Sequence, residues 1–202
     1  NQIKILDLSN CIKLKYIGMY AFTNNQIKQL KLPNNIETLS FASFAYNKIQ
    51  NLDLSNCIKL KNIGIYAFTK NQIKQLKLPE NIEIIGSESF LINKIETLDL
   101  SSCINLNIIN ECAFESNQIK QLKLPKNIEI LDKYTFSVNQ IEILDLSNCI
   151  KLKEILSDAF SDNPLKEIKI LGNIEIEYDN YYKKDIWNIF ARYYNNNKKK
   201  AG

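Results

Sequence analysis

The sequence predicts a β-rich α/β fold: a right-handed parallel solenoid of about eight coils, closed by a C-terminal helix. Three observations predict it. A marker asparagine returns at positions 1, 25, 47, 71, 93, 117, 139 and 163, so unit length alternates between 24 and 22 residues. Each unit holds an I-x-x-L-x-L segment whose apolar–polar alternation is the sign of a short strand. A strand that short cannot bury its own apolar face, whereas stacking each unit on the next can.

The elements follow in order. In the first unit Ile3, Leu6 and Leu8 mark the strand and Cys11 the turn after it; in the second, Ile27, Leu30, Leu32 and Asn35 take those places. The last unit weakens to Leu165, Ile168, Ile170 and Asn173. A second apolar pair follows in each coil, from Ile17 and Phe22 through Leu39 and Phe44 to Ile155 and Phe160. After Asn173 the pattern stops. In KKDIWNIFARYY, residues 183–194, Ile186, Phe190 and Tyr193 recur at helical spacing, as do Trp187, Ile189 and Tyr194. The last coil of a solenoid exposes an apolar cross-section, so this helix is read as its cap. The resulting division is 1–174 repeat, 175–194 cap and 195–202 flexible basic tail or linker start.

The in-phase L-x-x-L-x-L-x-x-(N or C) pattern resembles the leucine-rich repeat. Segments such as LKLPENIEIIGSESF (76–90) and IGIYAF (63–68) are similar to its BspA-like branch. The resemblance covers residues 1–174. It implies a non-enzymatic protein-binding or display module of a microbial surface or secreted protein, used in adhesion or host contact, with a matrix or plasma protein as partner. An intracellular interaction scaffold, or the recognition module of a larger enzyme, stays open beside it. The branch often ends its unit A-F-x-x-C, whereas this chain has F-x-x-N, as at Phe44 to Asn47.

Cysteine and asparagine alternate down one column: Cys11, Asn35, Cys57, Asn81, Cys103, Asn127, Cys149 and Asn173. The turn there brings backbone polar groups inward, and these need partners. An amide donates and accepts, while a thiol packs as a small apolar group. The column is therefore read as a buried structural ladder. Coils stack at about 4.8 Å, which sets the cysteines roughly 9–10 Å apart, too far for a disulfide and in a line that cannot converge on a metal. Cys112 aligns instead with Tyr20 and Tyr66 and is expected to be a partly exposed free thiol.

Between the leucines the outward column reads Asp7, Lys31, Asp53, Lys77, Asp99, Lys123, Asp145, Lys169. Opposite charges on neighbouring strands suit a self-neutralising row of ion pairs; a polar ligand strip is the other reading. The flanking column carries Gln29, Asn51, Gln75, Thr97 and Gln121. These two columns are the candidate ligand-facing residues. No catalytic, cofactor-binding or metal-ligating set is expected, since histidine is absent and the glycines form no phosphate loop.

The net charge is +4, but residues 183–202 carry +5 of it, leaving −1 for the rest. A repeat body without a basic excess is not expected to bind nucleic acid. No apolar run reaches the ~18 residues of a transmembrane helix. The chain opens without Met inside a repeat, as expected of a fragment or processed form.

Overall fold

The structure, a computed structural model, describes residues 1–170 and the strand at 175–176. The chain winds as a parallel β-solenoid of about seven turns, with no helix among the described residues. Two expectations are corrected here. Eight marker asparagines delimit seven complete coils, because the unit opened by Asn163 is not closed before residue 171. The described fold is also all β and not α/β. The expected helix at 183–194 lies outside the described residues, as do Asn173 and the 195–202 tail.

Each coil places one strand on each of two sides. The first series is β1 (Ile5–Asp7), β3 (Gln29–Lys31), β5 (Asn51–Asp53), β7 (Gln75–Lys77), β9 (Thr97–Asp99), β11 (Gln121–Lys123), β13 (Ile143–Leu146) and β15 (Glu167–Ile170). The second is β2 (Tyr16–Ile17), β4 (Thr38–Leu39), β6 (Asn62–Ile63), β8 (Ile84–Ile85), β10 (Ile108–Ile109), β12 (Ile130–Leu131), β14 (Glu154–Ile155) and β16 (Glu175–Ile176). The second series forms one eight-stranded parallel sheet from β2 to β16. Its last strand lies inside the stretch read as cap.

The first series does not form one sheet. It divides into the pairs β1–β3, β5–β7, β9–β11 and β13–β15, each a long unit with the short unit after it. Local chemistry accounts for the seams. The N–H of Leu54 donates to the Lys77 carbonyl of the following coil at 2.9 Å. Strand N–H groups alternate in direction, so those of Asp53 and Ser55 point back to the preceding coil. There the Asp53 carboxylate takes the Ser55 N–H at 3.0 Å and the Ser55 hydroxyl at 2.6 Å. The same D-x-S clasp recurs at Asp7, Asp99 and Asp145. A side chain that captures a ladder donor competes with sheet formation. In the short units Pro33, Pro79 and Pro125 have no N–H to extend the pair.

The third side of each coil is the A-F corner. Phe22, Phe44, Phe68, Phe90, Phe114, Phe136 and Phe160 stack with ring centroids 5.2–5.6 Å apart and near-parallel planes. The five from Phe44 to Phe136 are fully buried. Coil-to-coil backbone bonds run along this corner, as from Ala42, Phe44 and Tyr46 N–H to Ile65, Ala67 and Thr69 carbonyls. The corner places residues such as Tyr20, Tyr66, Ile92 and Val138 at positive φ. At Gly64 a Cβ would lie 2.7 Å from the Leu39 carbonyl oxygen, so this close approach of coils needs glycine.

Candidate functional site

The buried amide ladder is not in the Cys/Asn column. It is the marker asparagine of each unit. Asn71 accepts the Ile49 N–H at 3.1 Å and donates from Nδ2 to the Phe44 carbonyl of the preceding coil and the Phe68 carbonyl of its own. Asn47, Asn93, Asn117, Asn139 and Asn163 repeat this arrangement, Asn25 makes it with the Ile3 N–H and only one phenylalanine carbonyl, that of Phe22, and all but Asn163 are buried. One amide thereby satisfies a donor and two carbonyls that the phenylalanine turn withdraws from water. F-x-x-N, the departure from the A-F-x-x-C of the resembling branch, is the ladder itself. The signal in the sequence was its constancy in every unit.

The Cys/Asn column is corrected accordingly. Cys57, Cys103 and Cys149 are buried free thiols, pushed up to about 11 by burial. Cys11, expected to be buried, is exposed. Asn81 is exposed and Asn35 and Asn127 are half-buried. Each donates one bond, to the carbonyl of Ile12, Ile58 or Ile104 in the preceding coil. They fasten a surface turn. Cys112 is a half-buried free thiol whose ionisation is opposed by burial and by its bond to Glu115.

The strand face carries the candidate ligand residues. Asp7, Lys31, Asp53, Lys77, Asp99, Lys123 and Asp145 all stand exposed on it, with the leucine at each strand centre turned inward. Ion pairs join Lys31 to Asp7 at 3.4 Å, Lys77 to Asp53 at 3.6 Å and Lys123 to Asp99 at 3.2 Å. Among the described residues no salt bridge of this Asp/Lys row crosses a seam, so the row is broken into couples. Lys169, opposite Asp145, approaches Glu167 at 3.7 Å. The serine hydroxyl bond holds each Asp carboxyl below the ordinary value of 3.8, and in all four the lysine of the following coil adds to it.

Beside this row lie Gln29, Asn51, Gln75, Thr97 and Gln121, all exposed. Their side chains make no hydrogen bond among the described residues. The face thus presents a self-neutralised charge row next to a polar column whose donors and acceptors are all free. A second charge row, Lys15–Glu37 at 3.0 Å, Lys61–Glu83 at 2.7 Å and Lys153–Glu129 at 2.6 Å, flanks the eight-stranded sheet and was not foreseen in the sequence. Among the described residues no three His, Cys, Asp or Glu side chains gather to hold a metal ion. No described helix is long and apolar enough to cross a membrane.

A stack of short strands on inward leucines, closed by a phenylalanine spine and an asparagine ladder, is a leucine-rich repeat solenoid. The chain belongs to the BspA type leucine rich repeat family, whose repeat region matches residues 1–105 and 61–187 in six copies. Solved structures with similarity include a leucine-rich repeat protein from Bacteroides ovatus, at 16% identity over 90% of this chain and 63% of that one, TM-score 0.42. The pneumococcal vaccine antigen PcpA matches at 17% identity over 95% of this chain and 65% of that one, TM-score 0.44. A leucine rich cell surface protein from Faecalibacterium prausnitzii matches at 12% identity over 90% of this chain and 64% of that one, TM-score 0.30. The chain spans less than two thirds of the length of each. Comparison with curated proteins gives no match.

Proposed function

We propose that this chain is a non-enzymatic protein-binding module of a microbial surface or secreted protein, used in adhesion or host contact, and that its strand face takes the ligand. The observation that carries the reading is the column Gln29, Asn51, Gln75, Thr97 and Gln121, exposed and without intramolecular partners. The charge row beside it is neutralised in couples, so it exerts little long-range steering. Recognition then rests on short-range hydrogen bonds along an extended polar strip. Family membership supports a protein as ligand, and a host matrix or plasma protein is the class proposed. The surface or secreted location rests on the family alone.

The test is a binding screen of the full chain against matrix and plasma proteins, followed by the triple variant Gln75→Ala, Thr97→Ala, Gln121→Ala on any hit. A loss of affinity of about tenfold or more, with unchanged melting, supports the strand face; each good hydrogen bond is worth about 1 kcal/mol. Unchanged affinity moves the ligand elsewhere on the molecule.

A further inference from the structure

Between the phenylalanine corner and the strand face each coil passes along a short edge, formed by the two residues that flank the inward isoleucine of N-x-I-x. Six successive coils place one lysine there: Lys4, Lys28, Lys48, Lys74, Lys94 and Lys120. The lysine changes place without being lost. In the first, second, fourth and sixth coils it follows the isoleucine, and a glutamine precedes it; in the third and fifth it precedes the isoleucine, and Gln50 or Glu96 follows. All six lysines are exposed, and none forms a salt bridge among the described residues.

Backbone bonds hold this file in register. From the second coil to the seventh, the residue before the isoleucine donates its N–H to the isoleucine carbonyl of the preceding coil at 2.9–3.0 Å. The series includes Lys48 to Ile27 and Lys94 to Ile73, the steps at which the strands themselves do not pair. The lysines are thus rooted one to a coil, about 4.8 Å apart. Elsewhere the solenoid pairs lysines with carboxylates of neighbouring coils, Lys31 with Asp7 on the strand face and Lys61 with Glu83 beside the eight-stranded sheet. This edge keeps one sign through six coils, although like charges on neighbouring strands repel. Within these coils its one carboxylate is Glu96. On the turn leading in, Lys70 adds a cation, and Glu115 an anion bonded to the Cys112 thiol. The file ends at the seventh coil, where Glu142 takes Lys166 at 2.8 Å.

We infer that this edge is a binding site for a linear sulfated polysaccharide laid along the solenoid axis. An extended polyanion relieves the repulsion among all six lysines at once, and a pyranose chain with an anionic group on most sugars advances by a step similar to the coil rise. Lysine ammonium groups meet sulfates as point charges. The half-exposed Gln26, Gln72 and Gln118 interleaved with them offer amide donors and acceptors to sugar hydroxyls. Single-stranded nucleic acid would need aromatic faces for its bases; this edge has only Tyr46, and Lys70 lies over its ring at 5.1 Å. A bilayer would be gripped by apolar side chains set among the lysines, and glutamines stand there instead. The lysine file takes a different ligand from the protein proposed for the strand face, and stands or falls apart from it.

Titration calorimetry of the full chain with heparin at several salt concentrations tests the site. Binding is expected, with log affinity falling linearly as log salt rises. The variant Lys28→Gln, Lys48→Gln, Lys74→Gln, Lys94→Gln should lose affinity at least about tenfold and flatten that salt dependence, with no loss of melting temperature because the four side chains are exposed. The control Lys13→Gln, Lys59→Gln, Lys126→Gln, Lys151→Gln removes the same charge from the far edge of the strand face and should lose less than about threefold. Desulfated heparin should bind at least about tenfold more weakly than heparin. A chain that does not bind heparin at low salt overturns the site. So do equal losses in the two variants, which would leave net charge alone, and an affinity indifferent to the first variant, which would place the anion on the basic tail. Desulfated heparin that binds as well as heparin overturns the sulfate. Tighter binding of a DNA oligonucleotide, or of phosphatidylglycerol vesicles, through the same four lysines would overturn the polysaccharide and assign the edge to that polyanion.

Discussion

The two strand series of this solenoid are built from the same coils, yet one forms an unbroken eight-stranded sheet and the other stops every second strand. In the continuous sheet the ladder runs coil after coil, as from Gly64 N–H to the Leu39 carbonyl at 2.7 Å and from Gly86 N–H to the Ile63 carbonyl at 2.9 Å. On the strand face, the D-x-S clasps of the long units interrupt it. The difference teaches that stacking of coils is secured by the continuous sheet, the phenylalanine spine and the asparagine ladder. The strand face is released from that task, and it is there that polar side chains stand unengaged. The effective repeat of the face is the coil pair of 46 residues.

The largest way to break the comparison is through the spine. Phe90 is fully buried between Phe68 and Phe114, and Phe90→Ala is expected to cost about 3–5 kcal/mol in denaturant unfolding. The asparagines come next. Asn93→Ala removes a buried amide that bonds Ile73 N–H and the Phe68 and Phe90 carbonyls, and is expected to cost about 2–3 kcal/mol. Asn81→Ala, on the surface with one bond, should cost about 0.5–1 kcal/mol. Equal costs would erase the distinction between the two asparagine columns.

That distinction marks what was legible in the sequence. The 22/24 alternation, the strands at L-x-L and the parallel stacking follow from spacing and apolar pattern, because the core leucines, isoleucines and phenylalanines can satisfy burial in only one register. The role of the marker asparagine did not follow. Two of its three bonds reach into the preceding coil, and nothing in the local pattern distinguishes a buried amide from a turn residue. The seams were hidden for a related reason: Asp53 reads as an ion-pair partner of Lys77, while its clasp on Ser55 acts through the backbone.

On the strand face the expected effects are smaller. The carboxyls of Asp53, Asp99 and Asp145 are held below 3.8 in the folded chain. A group that ionises more readily when folded favours the folded state while ionised. Their contribution is therefore present above pH ~4 and lost as the pH falls through the lowered folded values. Asp99→Asn should flatten the acid limb of a stability–pH curve while changing stability at pH 7 by no more than about 1 kcal/mol, since the pair is exposed. The smallest effect is a gain. Ile92 is a β-branched residue at φ 53° with an exposed side chain, and Ile92→Gly should stabilise by about 0.5–1 kcal/mol in thermal unfolding, relief of the left-handed strain exceeding the added chain entropy.

Site-resolved amide hydrogen exchange of the native chain tests the divided strand face most directly. The account predicts slow exchange, close to the global unfolding limit, for Gly64, Gly86, Asp132 and Leu156, whose N–H groups donate across the continuous sheet. It predicts exchange at least about a hundredfold faster for Asn51, Asp53, Thr97 and Asp99, which face the seams without a backbone acceptor. Equal protection in the two groups would contradict it, showing that the strand face is one sheet and that the coil pair is not its unit.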